Sequence, residues 1–220
     1  MPRPRAATPV SAPKADAILE AALECFERTG YGNTPVPELA EAAGVAVGTI
    51  YRYFPGKSGL VNALYRRWKR SMLDALTDGL DLERAPATVF YDLWGRLTRF
   101  ASEHPSAFAF LENHHHAHYL DAESRALTER IDHDLAKLVE SWQRSGAVRE
   151  GDPELLVATA FGAFVGAVRH RRTRGLPITR ELGEQTGDAA WQLLSARCGT
   201  PSTSTSPSDP DSDLPRGDRR

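Results

Sequence analysis

The chain has 220 residues, a quarter of them charged, a formal net charge of −2 and two cysteines. That length holds one large or two modest domains, and two cysteines with no CxxC or Cys/His finger spacing exclude a disulfide framework and point to a reducing cytosol. The opening MPRPRAATPVSAPK lacks a signal peptide's apolar region and no apolar run is long enough to cross a bilayer, so a soluble, cytoplasmic protein without a membrane partner is expected. Residues 1–13, Pro/Ala-rich with Arg3 and Arg5, are expected to be a disordered arm: either a minor-groove reader or simply a basic start. A first helix over Lys14 to Thr29 buries Ile18, Leu19, Ala22, Leu23 and Phe26 and stops at Gly30. Next, Val36, Leu39, Ala40 and Ala43 form one helical stripe, Gly44 permits a sharp turn plugged by Val45, and a second short helix from Val47 buries Ile50 and Phe54. A long fourth helix from Lys57 stacks Leu60, Leu64, Trp68, Met72 and Leu76. Five further helices follow: Pro86 to Glu103; a short one opened by Pro105; Asp121 to Ser145 with Leu127, Ile131, Leu135, Leu138 and Trp142 inward; Asp152-Pro153 through Arg172; and one capped by Thr179 that ends near Arg197. No strand-like alternation is found, so the fold class is all-α, and the Ser/Pro/Asp-rich residues 200–220 are expected to be a disordered tail.

The short pair at 34–60 matches a helix-turn-helix, whose second helix enters a DNA major groove. Its second helix carries Thr49, Tyr51, Arg52 and Tyr53 on or beside the exposed flank and is followed by Lys57. Charge agrees: residues 1–70 hold 10 Lys/Arg against 6 Asp/Glu, a net +4, whereas residues 71–220 hold 17 against 23, a net −6. A basic head on an acidic body keeps phosphate affinity at one end.

The run LEAALECFERTGYGNTPVPELAEAAGVAVGTIYRYFPGKSGLVNAL resembles the tetracycline-repressor-like (TetR) regulators of bacteria over the first third of the chain. The likeness lies in Phe and Gly-Tyr before the hairpin, Ala-Gly-Val in the turn, Gly-Thr-Ile-Tyr-x-Tyr-Phe in the reading helix, then Lys. It implies a homodimer, a head that binds a palindromic operator in double-stranded DNA, and a helical body whose small-molecule effector weakens the grip on DNA. Carried over by position, it implies that Val47, Gly48, Thr49 and Arg52 face the groove and that Tyr51, Tyr53 and Lys57 meet phosphates. Three departures stand out: Ala46 replaces a Ser, removing a side-chain cap worth roughly 1 kcal/mol and a phosphate contact; Pro37 stands where a base-reading residue is usual; and Pro35 removes a hydroxyl, leaving Thr34 to cap. Operator reading then rests on Arg52, whose fork fits a guanine for about 1–3 kcal/mol of discrimination. The division expected is an arm at 1–13, a head at 14–56, a connecting helix at 57–79, an effector-binding and dimerisation domain at 80–199 and a tail at 200–220.

In the body, Glu112-Asn113-His114-His115-His116-Ala117-His118 places His114 and His118 on one helical face. Three readings stand: a plain helix end, the polar lining of an organic-ligand pocket, or a transition-metal site. A di-iron enzyme needs a second Glu-x-x-His pair and two further Glu, which are missing, so no cofactor and no catalytic residues are expected. Tyr91, Trp94, Phe108, Phe110 and Trp142 are candidates to wall an effector pocket, although aromatics at helical spacing are more often plain core. The helix LLVATAFGAFVGAV is apolar on too many sides for a lone surface helix. With Gly162 and Gly166 one turn apart, it pairs with the last helix as a candidate dimer interface through Phe161, Gly162, Val165, Gly166, Leu182, Ala190 and Leu194; the alternative is a monomer's central helix. The arginines of 169–174 read as a solvated helix end. The function read here is an effector-responsive DNA-binding repressor, with a metal-responsive regulator, an all-α metalloenzyme and a protein-interaction module as alternatives.

Overall fold

The computed structural model describes residues 12–113 and 119–195. Its helices are α1 Ala12–Asn33, α2 Val36–Ala42, α3 Val47–Tyr53, α4 Gly56–Thr77, α5 Pro86–Glu103, α6 Pro105–Asn113, α7 Ala122–Arg144, α8 Pro153–Arg172 and α9 Arg180–Leu194. The fold is all-α; among the described residues, one isolated antiparallel bridge between Val148 and Ser195 adds to the helices. No described helix is long and apolar enough to cross a membrane. Arg3, Arg5, His114, His118, Cys198 and the tail at 200–220 lie outside the described residues.

A small core holds the first three helices together. Ile18, Ala22, Leu23 and Phe26 of α1 meet Leu39 and Ala40 of α2, Ile50 of α3, Phe54, and Leu60, Val61 and Leu64 of α4, all buried. Gly30, at φ 77°, breaks α1 so that only a last turn continues to Asn33. Gly44, at φ 63°, reverses the chain between α2 and α3, and the Val45 amide donates to the Ala40 carbonyl at 2.9 Å to close the turn.

Helix α4, about 33 Å long at 1.5 Å per residue, packs on α1 at one end and on α5, α6 and α7 beyond it. In the body, α9 lies flat on α5 because two of its glycines make room. A Cβ at Gly183 would stand 2.5 Å from Thr98 Oγ1, and one at Gly187 would stand 3.0 Å from Trp94 Cδ1. Helix α8 buries Leu156, Ala160, Phe164 and Val168, and the Phe164 ring meets Trp94 and Phe108 edge-on at 5.5 and 5.7 Å.

Two expectations change. On α7, Trp142 is buried as expected, but Leu127, Ile131, Leu135 and Leu138 are only half-buried, whereas Ala136 and Val139 are buried; these two smaller residues face its neighbours. Helix α9 ends at Leu194 rather than near Arg197, because Ser195 turns extended at ψ 144° and the Arg149 amide takes the Leu194 carbonyl at 2.9 Å.

Candidate nucleic-acid interface

Helix α3 is seven residues long and is held from beneath by the fully buried Ile50 and by Phe54 at its end. With its underside anchored, the other face turns outward: Ala46, Val47, Gly48, Tyr51 and Arg52 are exposed, with Thr49 and Tyr53 half-buried beside them. Tyr51 is 56% exposed, an unusual placement for a large ring in a helix this short. The Arg52 guanidinium rests 5.2 Å from the centroid of the Tyr53 ring. Ala46 takes the cap position and provides no side-chain bond; only its carbonyl engages, accepting from the Thr49 amide at 2.8 Å. The first turn of α3 therefore has no side-chain cap on its amides.

Lys57, in the first turn of α4, is not a free-swinging cation. Its Nζ sits 4.5 Å above the centroid of Tyr31 and donates to the Gly32 carbonyl at 3.4 Å. Partial burial pulls its pKa below the ordinary lysine value. The Tyr31 ring in turn stacks on Tyr119, 4.5 Å between centroids, a neighbour from the body that the sequence gives no local signal for.

Thr34 corrects an expectation. It is fully buried, its hydroxyl donates to the Gly30 carbonyl at 2.8 Å, and it lies 2.7 Å from the Thr29 hydroxyl. Pro35, not Thr34, occupies the cap position of α2 and provides no side-chain bond. The hydroxyl is used where α1 breaks, so it reaches neither the helix end nor solvent.

The body candidates are placed differently from one another. Trp94, Phe108, Phe110 and Trp142 are buried in continuous core; Phe110 stacks on Phe26 of α1 at 6.3 Å, and Trp94 Nε1 donates to Thr186 Oγ1 at 3.1 Å. Tyr91 lies on the surface, donating to Asp188 at 3.0 Å. Space is left between α4 and α5. A groove of about 650 Å³ runs along Asp74, Thr77 and Arg96, and a second volume of about 230 Å³ adjoins Arg99, Phe100 and His104, the two sharing Ala75 and Arg96. Of the proposed dimer residues, Ala190 and Leu194 are buried within the single chain, because the α9 glycines draw that helix onto α5. Leu182 is half-buried, as are Phe161, Val165 and Gly166, while Gly162 is exposed. Among the described residues, no three His, Cys, Asp or Glu side chains converge as metal ligands.

Residues 18–64 match the model of the bacterial regulatory proteins of the tetR family, and residues 70–196 match the tetracyclin repressor-like C-terminal domain. The chain belongs to the TetR family. Its relatives include the HTH-type transcriptional repressor KstR of Mycolicibacterium smegmatis, 35% identical over 138 residues, which are 62% of this chain. The chain spans 63% of that repressor's length. A TetR family transcription regulator from Marinobacter aquaeolei VT8 superposes with a TM-score of 0.72 at 26% identity over 84% of this chain and 96% of that one. The regulator FadR from Bacillus subtilis, solved in complex with stearoyl-CoA, shares the fold at 19% identity with a TM-score of 0.68 over 81% of this chain and 98% of that one. The TetR protein described here is thus a DNA-binding transcriptional regulator with its helix-turn-helix at α2 and α3.

Proposed function

We propose that the protein is a homodimeric repressor that grips a palindromic operator with two copies of α3 and lets go when a small molecule engages the body. The observation that carries this reading is the outward face of α3, where Val47, Gly48, Tyr51 and Arg52 stand exposed on a helix pinned by Ile50. Arg52 would read a base edge, Tyr51 and Lys57 would meet phosphates, and two heads would occupy successive major grooves about one helical turn apart. Self-association is assigned to the outer face of α8, where Leu155, Ala158, Thr159, Gly162 and Ala163 are exposed. The α4–α5 groove is the proposed effector site, because it borders the helix that joins head to body. The stearoyl-CoA held by the Bacillus relative makes an acyl-CoA the first effector to try.

The test begins with DNA selected from a random pool by the purified protein. Binding read by fluorescence anisotropy is expected to weaken steeply with salt, and Tyr51→Ala and Arg52→Ala each to cost about 1–3 kcal/mol of affinity. Binding of both variants at wild-type affinity would contradict the reading. Stearoyl-CoA is expected to release the DNA from the wild-type protein but not from Arg96→Ala.

A further inference from the structure

Lys57 stands on a shelf built by two parts of the molecule. The Tyr31 ring beneath it belongs to the last turn of α1, and the ring beneath Tyr31, inclined by 29°, is Tyr119, which opens the turn into α7. That turn is secured independently of the ring. Asn62 of α4, 1% exposed, donates to the Tyr119 carbonyl at 2.8 Å and accepts from the Asp121 amide at 2.9 Å. Asp121 caps α7 by accepting from the Ser124 amide and pairs with Arg66 of α4 at 2.8 Å. Burial works against its ionisation, yet the Ser124 and Arg66 hydrogen bonds hold its carboxyl down to about 2. The backbone at 119–121 is therefore fixed twice over without the Tyr119 side chain, whose ring stacks on Tyr31 of the head. Burial and the neighbouring Tyr31 and Tyr65 hydroxyls push the Tyr119 phenol up to about 12, so it stays neutral under the ammonium–ring stack at ordinary pH.

We propose that Tyr119 is a positioning residue for DNA binding: by stacking on Tyr31 it holds the ring that presents the Lys57 ammonium to a phosphate. The proposal rests on the reading of Lys57 as a phosphate contact. A lysine confined to one ring face loses less freedom on meeting DNA than one that swings free, so preorganisation is what the stack supplies. It also means that the body touches the DNA-facing surface through a side-chain relay as well as through α4.

The experiment measures affinity for the selected DNA across a series of salt concentrations for the full chain and four variants. Lys57→Ala is expected to lower the salt slope by about 1.8, the signature of two lost phosphates, one at each head of the dimer. Tyr119→Ala is expected to weaken binding about three- to tenfold, the range of an aromatic pair, and to move the slope toward that of Lys57→Ala. The double variant binds no more weakly than Lys57→Ala alone, and Tyr119→Phe, which keeps the ring, binds as wild type. Additive losses in the double variant, a wild-type slope in Tyr119→Ala, or a Tyr119→Phe as damaged as the alanine each overturn the proposal. Where circular dichroism shows Tyr119→Ala unfolded, Tyr119→Leu replaces it with the same expectations. A wild-type protein without salt-dependent binding removes the repressor reading itself, an outcome distinct from normal binding that ignores Tyr119.

Discussion

Helices α3 and α8 both turn a face to solvent, and the two faces differ in every physical respect. Helix α3 is short, has no side-chain cap and exposes a phenol and a guanidinium. Helix α8 has 20 residues, is capped by Asp152, which accepts from the Glu154 and Leu155 amides, and exposes Leu155 at 64% together with Ala158, Thr159, Gly162 and Ala163. One surface offers donors and charge suited to a polyanion; the other offers small apolar groups that a second backbone can approach. The contrast teaches that the fold leaves open two faces of opposite chemistry, while α9, which the sequence offered as a contact surface through Ala190 and Leu194, is drawn onto α5.

The largest expected effect breaks the apolar face. Gly162→Glu places a charge where a Cβ meets nothing within 4 Å, so folding should survive while the dimer does not; sedimentation should report a monomer, and DNA affinity should fall on the order of 100-fold as avidity is lost. Its counterpart, Gly183→Ala, drives a methyl to 2.5 Å from Thr98 Oγ1 and should cost about 1–3 kcal/mol of stability by overpacking in urea unfolding. If Gly162→Glu remained dimeric, the assignment of α8 would be wrong.

A smaller effect sharpens the other side. Ala46→Ser gives α3 the cap that α8 already has and should add about 1 kcal/mol of stability, read by chemical denaturation. Smallest is Glu112→Gln. Desolvation raises the Glu112 carboxyl above its usual pKa, with Asp132 adding to the rise and Lys69 opposing it. The folded state then binds the proton more tightly than the unfolded chain, so stability falls as pH rises from the unfolded carboxyl range through the raised value. The glutamine variant should melt higher than wild type at pH 7, and the gap should close as the pH is lowered toward 4.

What was legible in the sequence was local. The Gly44 turn, the Ile50 anchor, the Asp152 and Thr179 caps and the missing cap at Ala46 all follow from residues within four positions of one another, where backbone and side-chain chemistry decide the outcome. The body's packing was not. Nothing near Ala190 or Leu194 reveals that Gly183 and Gly187 draw α9 against Trp94 and Thr98, about 90 positions earlier in the chain. The same holds for Tyr31 and Tyr119: each reads locally as an ordinary aromatic, and only the meeting of distant segments makes them a pair. Aromatic spacing marked Trp94, Phe108, Phe110 and Trp142 as important, but it cannot separate a ring that fills a core from one that walls a void.

Arg172, at the end of α8, reaches across to Glu27 of α1 at 2.6 Å. The same helix that is assigned to self-association therefore ends in an ionic tether to its own head. Electrolyte screens such a half-exposed tether, so the clasp between the end of α8 and the first helix slackens as salt rises. Urea unfolding should find Arg172→Gln less stable than wild type by under about 1 kcal/mol in dilute buffer and equal to it in concentrated salt.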